Sequence, residues 1–223
     1  MNHSHPIEQR PNTWKEVNST RLFVVIQGTI GGLVGIVHGI FEILLGNRPT
    51  AGLVLDSKTG AFSILPTYLL SGIASVIIGL VLIFWTNGFI QRKNGPVIFL
   101  IICILLFLAG GGIAQVGFFL IAWGVAMHIH RPPHWWKNDV SRNTRNRLAK
   151  GWPAIFLTSY LFLFTGIAIW LIATPPGTSF RENVVAYLIC WSCLAIGLVF
   201  QILTVVSGFA RDIERQEEYA ASH

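Results

Sequence analysis

The chain has 223 residues, of which 12% are charged and 52% hydrophobic, whereas a soluble domain carries about 25% charged residues. This composition excludes a soluble globular enzyme, a disordered chain and a coiled coil, and leaves an all-α, polytopic helical membrane bundle. The formal charge of +6 and the pI near 9.6 fit loops that face anionic lipid; no soluble-looking basic and aromatic domain exists to take nucleic acid as a partner.

Residues 1–21 are polar, carry Glu8, Arg10, Lys15 and Glu16, and read as a cytoplasmic segment. The first apolar run, 22–45, is too long for a signal-peptide core and lacks a small-residue cleavage site, so it is expected to stay as a membrane helix. Its 24 residues extend about 36 Å, enough to cross a hydrocarbon core of about 30 Å with some tilt. Gly46-Asn47-Arg48-Pro49 ends it. The second span is expected at 64–85, with Pro66 in its first turn and Trp85 at the far interface.

From Pro96 to Met127 the chain is apolar for 32 residues, about 48 Å as one helix. One reading is a single span, giving five in all. Gly110-Gly111-Gly112 argues for a break, because each glycine costs about 1 kcal/mol relative to alanine in a helix. Loop charge decides for the break. With a hairpin, 96–111 and 113–127, the Lys and Arg residues split thirteen to three between the two sides; with one span they split ten to six. Positive residues gather on the cytoplasmic side, so a Gly-tipped hairpin and six segments are predicted, with both termini cytoplasmic. A cysteine at Gly111 is then expected to react with an impermeant thiol reagent from outside. The fifth and sixth segments are 153–173 and 184–208, the bundle closes at 209, and 210–223 is a charged cytoplasmic tail.

The six segments contain a single formal charge, Glu42. An acid at the bilayer centre costs about 2.5–3.5 kcal/mol on insertion scales, so such a group faces a partner or a wet interior. His38 lies four residues earlier, on the same helix face. With Gln27 and Gln115, these residues are the candidates for a polar interior that responds to protons or contacts a cation. The plainer alternative is a satisfied helix-end carboxylate with a histidine bonded across the bundle.

Small residues recur every fourth position at Gly31, Gly35 and Gly39, and at Ser71, Ser75 and Gly79. Such stripes let helix backbones approach closely in lipid, so the first two segments are expected to pack together, or two copies of the chain to pair through the stripe. Gly35→Leu is expected to lower thermal stability in detergent. Gly32 and Gly39, Gly72 and Gly79, and Gly110 and Gly117 also share a seven-residue spacing.

The loop after 127 holds Arg131, Lys137, Arg142, Arg145, Arg147 and Lys150 beside Trp135 and Trp136. It is expected to form a basic, aromatic belt against anionic head groups, with about 1 kcal/mol of attraction per cation, or to dock a partner membrane subunit. His128, His130 and His134 are weak metal candidates. Diiron membrane enzymes need more histidines, and His3, His5 and His223 stand at the chain ends. A bis-histidine haem needs two ligands inside the bilayer, where only His38 is placed. Cys190-Trp-Ser-Cys193 resembles the C-x-x-C of membrane disulfide exchangers, but no loop holds a second pair to receive electrons, and an apolar setting suppresses thiol reactivity. No Walker A, G-x-S-x-G or H-E-x-x-H motif occurs. No cofactor and no catalytic residue is assigned. A small transporter, channel-like protein or accessory subunit of the plasma membrane is the leading expectation. A lipid- or partner-binding structural protein and a thiol or metal redox enzyme are the alternatives.

Overall fold

A computed structural model describes residues 18–53, 62–112, 115–130, 133, 136, 139–173 and 183–221, the side chain of Tyr219 apart. Six helices follow in chain order: α1 Ser19–Leu45, α2 Tyr68–Gly88, α3 Gly95–Leu108, α4 Val116–Ala126, α5 Arg142–Ala173 and α6 Val184–Ala221. α1, α2, α5 and α6 are long and apolar enough to cross a membrane, and α3 and α4 are shorter apolar helices. The protein is an all-helical membrane bundle. Leu44, Leu157, Leu161 and Ile172 are among many large apolar side chains on its outer surface, as expected where lipid is the solvent.

The third apolar region breaks into a hairpin. α3 and α4, at 14 and 11 residues, reach only about 21 and 16 Å, less than the hydrocarbon thickness of about 30 Å. At the base, His130 Nε2 lies 2.9 Å from the Gln91 carbonyl, which brings the two ends of the hairpin together. Its tip, Ala109–Gly112, inserts beside α1 and α2. Positive φ angles of 101° at Gly110 and 89° at Gly112 need residues without a Cβ. Among the described residues of the tip, Ala109, Gly110 and Gly111 are buried and Gly112 is partly exposed. Ile64 N–H donates to the Leu108 carbonyl at 2.9 Å, Ser63 and Ala109 form a bridge, and Gly111 is buried. Residues 63–65 thus roof the Leu108–Ala109 side of the tip, and a side chain added at 111 would press on Leu106.

That roof also corrects the second span. α2 starts at Tyr68 rather than at 64, with the Thr67 side chain accepting from Leu70 N–H. Ile64–Pro66 instead runs back along Thr50–Gly52: Thr50 N–H donates to the Pro66 carbonyl and Ser63 N–H to the Gly52 carbonyl, both at 3.1 Å. Thr50 Oγ1 adds a bond to the Leu65 carbonyl at 2.6 Å.

α1 and α2 pack along an antiparallel glycine seam that includes Gly39 and Gly79 of the expected stripes, joined by Gly32 and Gly72 in place of Gly31 and Gly35. A Cβ on Gly32 would stand 2.7 Å from the Gly79 carbonyl oxygen, and one on Gly39 2.6 Å from that of Gly72. The seven-residue spacing carries the seam, because residues two turns apart share a face. Gly31 and Gly35 lie around the helix from it and make room for Phe119 of α4 and Leu106 of α3. Gly35→Leu therefore acts by displacing the hairpin. Ser71 and Ser75 point to the hairpin tip, where both hydroxyls donate to the Ala109 carbonyl.

α5 begins at Arg142, well before Pro153, and continues through that proline. α6 continues past 208 to Ala221, and its extension is not wholly solvated. Asp212 accepts from Ser19 N–H at 2.7 Å, Thr20 N–H at 3.1 Å and Thr20 Oγ1 at 2.7 Å. The Asn18 side chain makes no cap bond, so a carboxylate from the opposite end of the chain caps α1, where the helix dipole favours negative charge. Asp212→Ala is expected to lower unfolding stability in detergent by about 1–3 kcal/mol. Glu218→Ala, an exposed change on the same helix, is expected to shift it by under about 0.5 kcal/mol; thermal melts of the two variants side by side make the check.

Candidate functional site

The tip of the α3–α4 hairpin gathers three of the four polar candidates. Glu42 and His38 come from the last two turns of α1, at 1% and 4% exposure. Gln115 stands just before α4 and is buried; its side-chain N–H donates to the Gly111 carbonyl across the tip. Both carboxylate oxygens of Glu42 lie within 2.7 Å of the point a Gly110 Cβ would occupy, and Ser71 Oγ crowds the same point. Absence of a side chain at Gly110 is what admits the Glu42 carboxyl and the Ser71 hydroxyl to one small space. Around Gly112, the His38 ring edge and Gln115 Nε2 stand 3.7 and 3.9 Å from the corresponding point.

Hydroxyl groups tie this centre together. Ser71 Oγ lies 2.8 Å from Ser63 Oγ and 2.6 Å from the Ala109 carbonyl oxygen, which also accepts from Ser75 Oγ at 2.8 Å. The His38 ring stacks on Trp170 of α5, with centroids 5.7 Å apart, so the centre touches the α5–α6 pair as well. Among the described residues, His38 Nε2 and Gln115 Oε1 are buried with no hydrogen-bond partner. Buried polar atoms without protein partners are uncommon and call for water or another ligand.

Gln27 belongs to a different cluster. Its Oε1 accepts from Tyr160 O–H at 3.2 Å and from Gln201 Nε2 at 2.7 Å, joining α1, α5 and α6 inside the bundle. Gln27→Leu is expected to cost about 1–2 kcal/mol in detergent unfolding, since such bonds average about 0.6 kcal/mol each in membrane proteins.

The expected basic belt divides. Arg142, Arg147 and Lys150 are exposed on the first turns of α5. Arg145 is buried instead, with its guanidinium 3.2 Å from both Glu214 and Glu217 of α6. Trp136 is buried against Phe209, Ala210 and Ile213 rather than set in an interfacial belt. Arg131, Trp135, Lys137 and His134 fall outside the described residues. His128 packs edge-on to Phe209, and among the described residues no three His, Cys, Asp or Glu side chains gather to hold a metal. Cys190 and Cys193 are both buried as free thiols, and Cys190 Sγ donates to the Gly166 carbonyl at 3.4 Å. This places Cys190 in the α5–α6 contact, beside a glycine, as a packing cysteine.

Ser63, Asp212 and Tyr160 take part in these contacts although their sequence positions scarcely mark them. Only Ser63 left a trace in sequence, as a small hydroxyl residue just ahead of the second apolar run. No protein-family model, curated protein or solved structure matches the chain.

Proposed function

We propose that the protein is a small transporter-like or channel-like protein of the plasma membrane, or the membrane subunit of such an assembly, and that Glu42 with His38 is its proton-handling centre. The observation that carries this reading is a buried carboxyl one helical turn from a buried imidazole, both packed against a positive-φ glycine tip in a lipid-exposed bundle. Ionisable groups kept inside a membrane bundle mark proton relays and ion paths. The unbonded His38 Nε2 and Gln115 Oε1 support a centre that takes up water or a passing proton. Short helices that end within protein at a polar site supply irregular backbone where lipid cannot reach it.

The same reading places both termini in the cytoplasm, following the thirteen-to-three split of Lys and Arg. Arg142, Arg147 and Lys150 then face the anionic head groups of the inner leaflet. The test is proton entry into proteoliposomes loaded with a pH-sensitive dye, with an acid pulse outside and a potassium diffusion potential to balance charge. Wild-type protein should admit protons faster than protein-free vesicles, and Glu42→Gln should return the rate to that background. Equal rates for wild type, Glu42→Gln and empty vesicles would overturn the proposal.

A further inference from the structure

An open cleft of about 320 Å³ lies over the hairpin roof, lined by Thr50, Gly52, Leu53, Ser63, Ile64, Leu65 and Pro66. Ser63 belongs to both the cleft and the buried centre. It lines the cleft, is itself only 4% exposed, and lies 2.8 Å from Ser71 Oγ. Ser71 Oγ and the Glu42 oxygens crowd one point beside Gly110, all within 2.7 Å of it. The hydroxyl and the carboxyl are therefore less than twice that distance apart.

Resting on the proton-handling reading of Glu42, we infer that Ser63 and Ser71 form the proton path between this cleft and the Glu42 carboxyl. At rest the Ser71 hydroxyl donates to the Ser63 oxygen and the Ala109 carbonyl; in the transfer it turns from them toward Glu42, and Ser63 Oγ takes a proton from a cleft hydronium and gives its own to Ser71 Oγ. Ser71 gives its own to a Glu42 carboxylate oxygen, so one proton enters the chain and one reaches the acid. No electrons move, and rotation of the two hydroxyls resets the chain. The Leu65 N–H, which donates to Ser63 Oγ at 3.1 Å, and the Ala109 carbonyl, which accepts from Ser71, hold the two oxygens in line. Among the described residues, the titratable groups around this space are His38, beside Gly112, and Tyr68, buried one turn before Ser71 on the same face of α2. α2 contributes Ser71 and Ser75, the hairpin contributes backbone and Gln115, and α5 contributes Trp170 against the histidine. The consequence is sidedness: Glu42 equilibrates with the solution on the α1–α2 loop side and not with that on the side of the chain termini.

Dicyclohexylcarbodiimide, which enters lipid and modifies protonated carboxyls, reads this without requiring transport. Proteoliposomes with insertion checked by protease removal of the C-terminal tail are given a pH difference, labelled briefly, and Glu42 modification is measured by mass spectrometry. Modification should follow the pH on the loop side. Ser71→Ala and Ser63→Ala should each abolish that dependence on short labelling. Ser75→Ala, which removes a hydroxyl bonded to the same Ala109 carbonyl but not to Ser63, should retain it. Modification that tracks the pH on the terminal side, that ignores pH on both sides, or that stays loop-sided in both serine variants overturns the path. A loop-sided response in a protein that carries no proton flux would leave the path standing and remove the transport reading.

Discussion

Gly39→Leu is expected to break the α1–α2 pair and cause a large loss of stability. A Cβ at position 39 would meet the Gly72 carbonyl oxygen at 2.6 Å and Ser75 Cβ and Val76 Cγ2 at 3.0 Å, and a backbone oxygen cannot turn aside. Overpacking of this kind costs about 1–3 kcal/mol even for modest additions. Here the cost spreads, because α1 also carries Glu42 and His38, and any parting of α1 from α2 pulls Glu42 away from Ser71. Gly39→Ala should give a smaller loss in the same direction. Gly124→Ala is the control: nothing stands within 4 Å of its added Cβ, and alanine gains up to about 1 kcal/mol of helix propensity over glycine. Thermal unfolding in detergent should rank the three in that order, with the control at or above wild type. A Gly39→Leu protein that melts with the wild type would refute the seam.

Gly110→Ala should disable the candidate site in two ways at once. Its φ of 101° is one that residues with a side chain rarely adopt, at a cost of about 1–3 kcal/mol. Its new methyl would occupy the space that the Glu42 carboxyl and the Ser71 hydroxyl now share. Gly112→Ala separates the two effects. With φ at 89° it suffers similar strain, but its nearest neighbours stand at 3.7 Å, an ordinary contact. Stability should fall in both variants, and further in Gly110→Ala. Glu42 modification by carbodiimide should survive at Gly112→Ala and be lost or lose its pH dependence at Gly110→Ala. Identical behaviour of the two would mean that the carboxyl does not use the space beside Gly110.

Much of the architecture was legible because partition between lipid and water acts on whole segments. Four apolar runs marked the long helices, and the distribution of Lys and Arg favoured a hairpin over a fifth span. Helical spacing put His38 and Glu42 on one face. Other features depend on the angle at which a face meets its neighbour, which periodicity does not fix. Three glycines at four-residue spacing looked like one seam, yet Gly39 meets α2 while Gly31 and Gly35 meet the hairpin. The seven-residue pairs carried the α1–α2 register. The roof over the tip was hidden because Ile64–Pro66 is apolar enough to read as the start of a helix. Backbone bonds to Thr50, Gly52 and Leu108 hold it as a loop instead. Pairings across the length of the chain, such as Asp212 with Ser19 and Thr20, or Arg145 with Glu214 and Glu217, leave no local signal. Arg145 thus resembled every other cation in a basic loop.

Glu42, buried at the hairpin tip, is expected to gain and lose a proton. Infrared difference spectroscopy of the membrane-reconstituted protein during a pH titration, comparing wild type with Glu42→Gln, reads that proton. Wild type should show a C=O stretch of a protonated carboxyl that disappears as pH rises and is missing from Glu42→Gln at every pH. Superimposable difference spectra from the two proteins would contradict it.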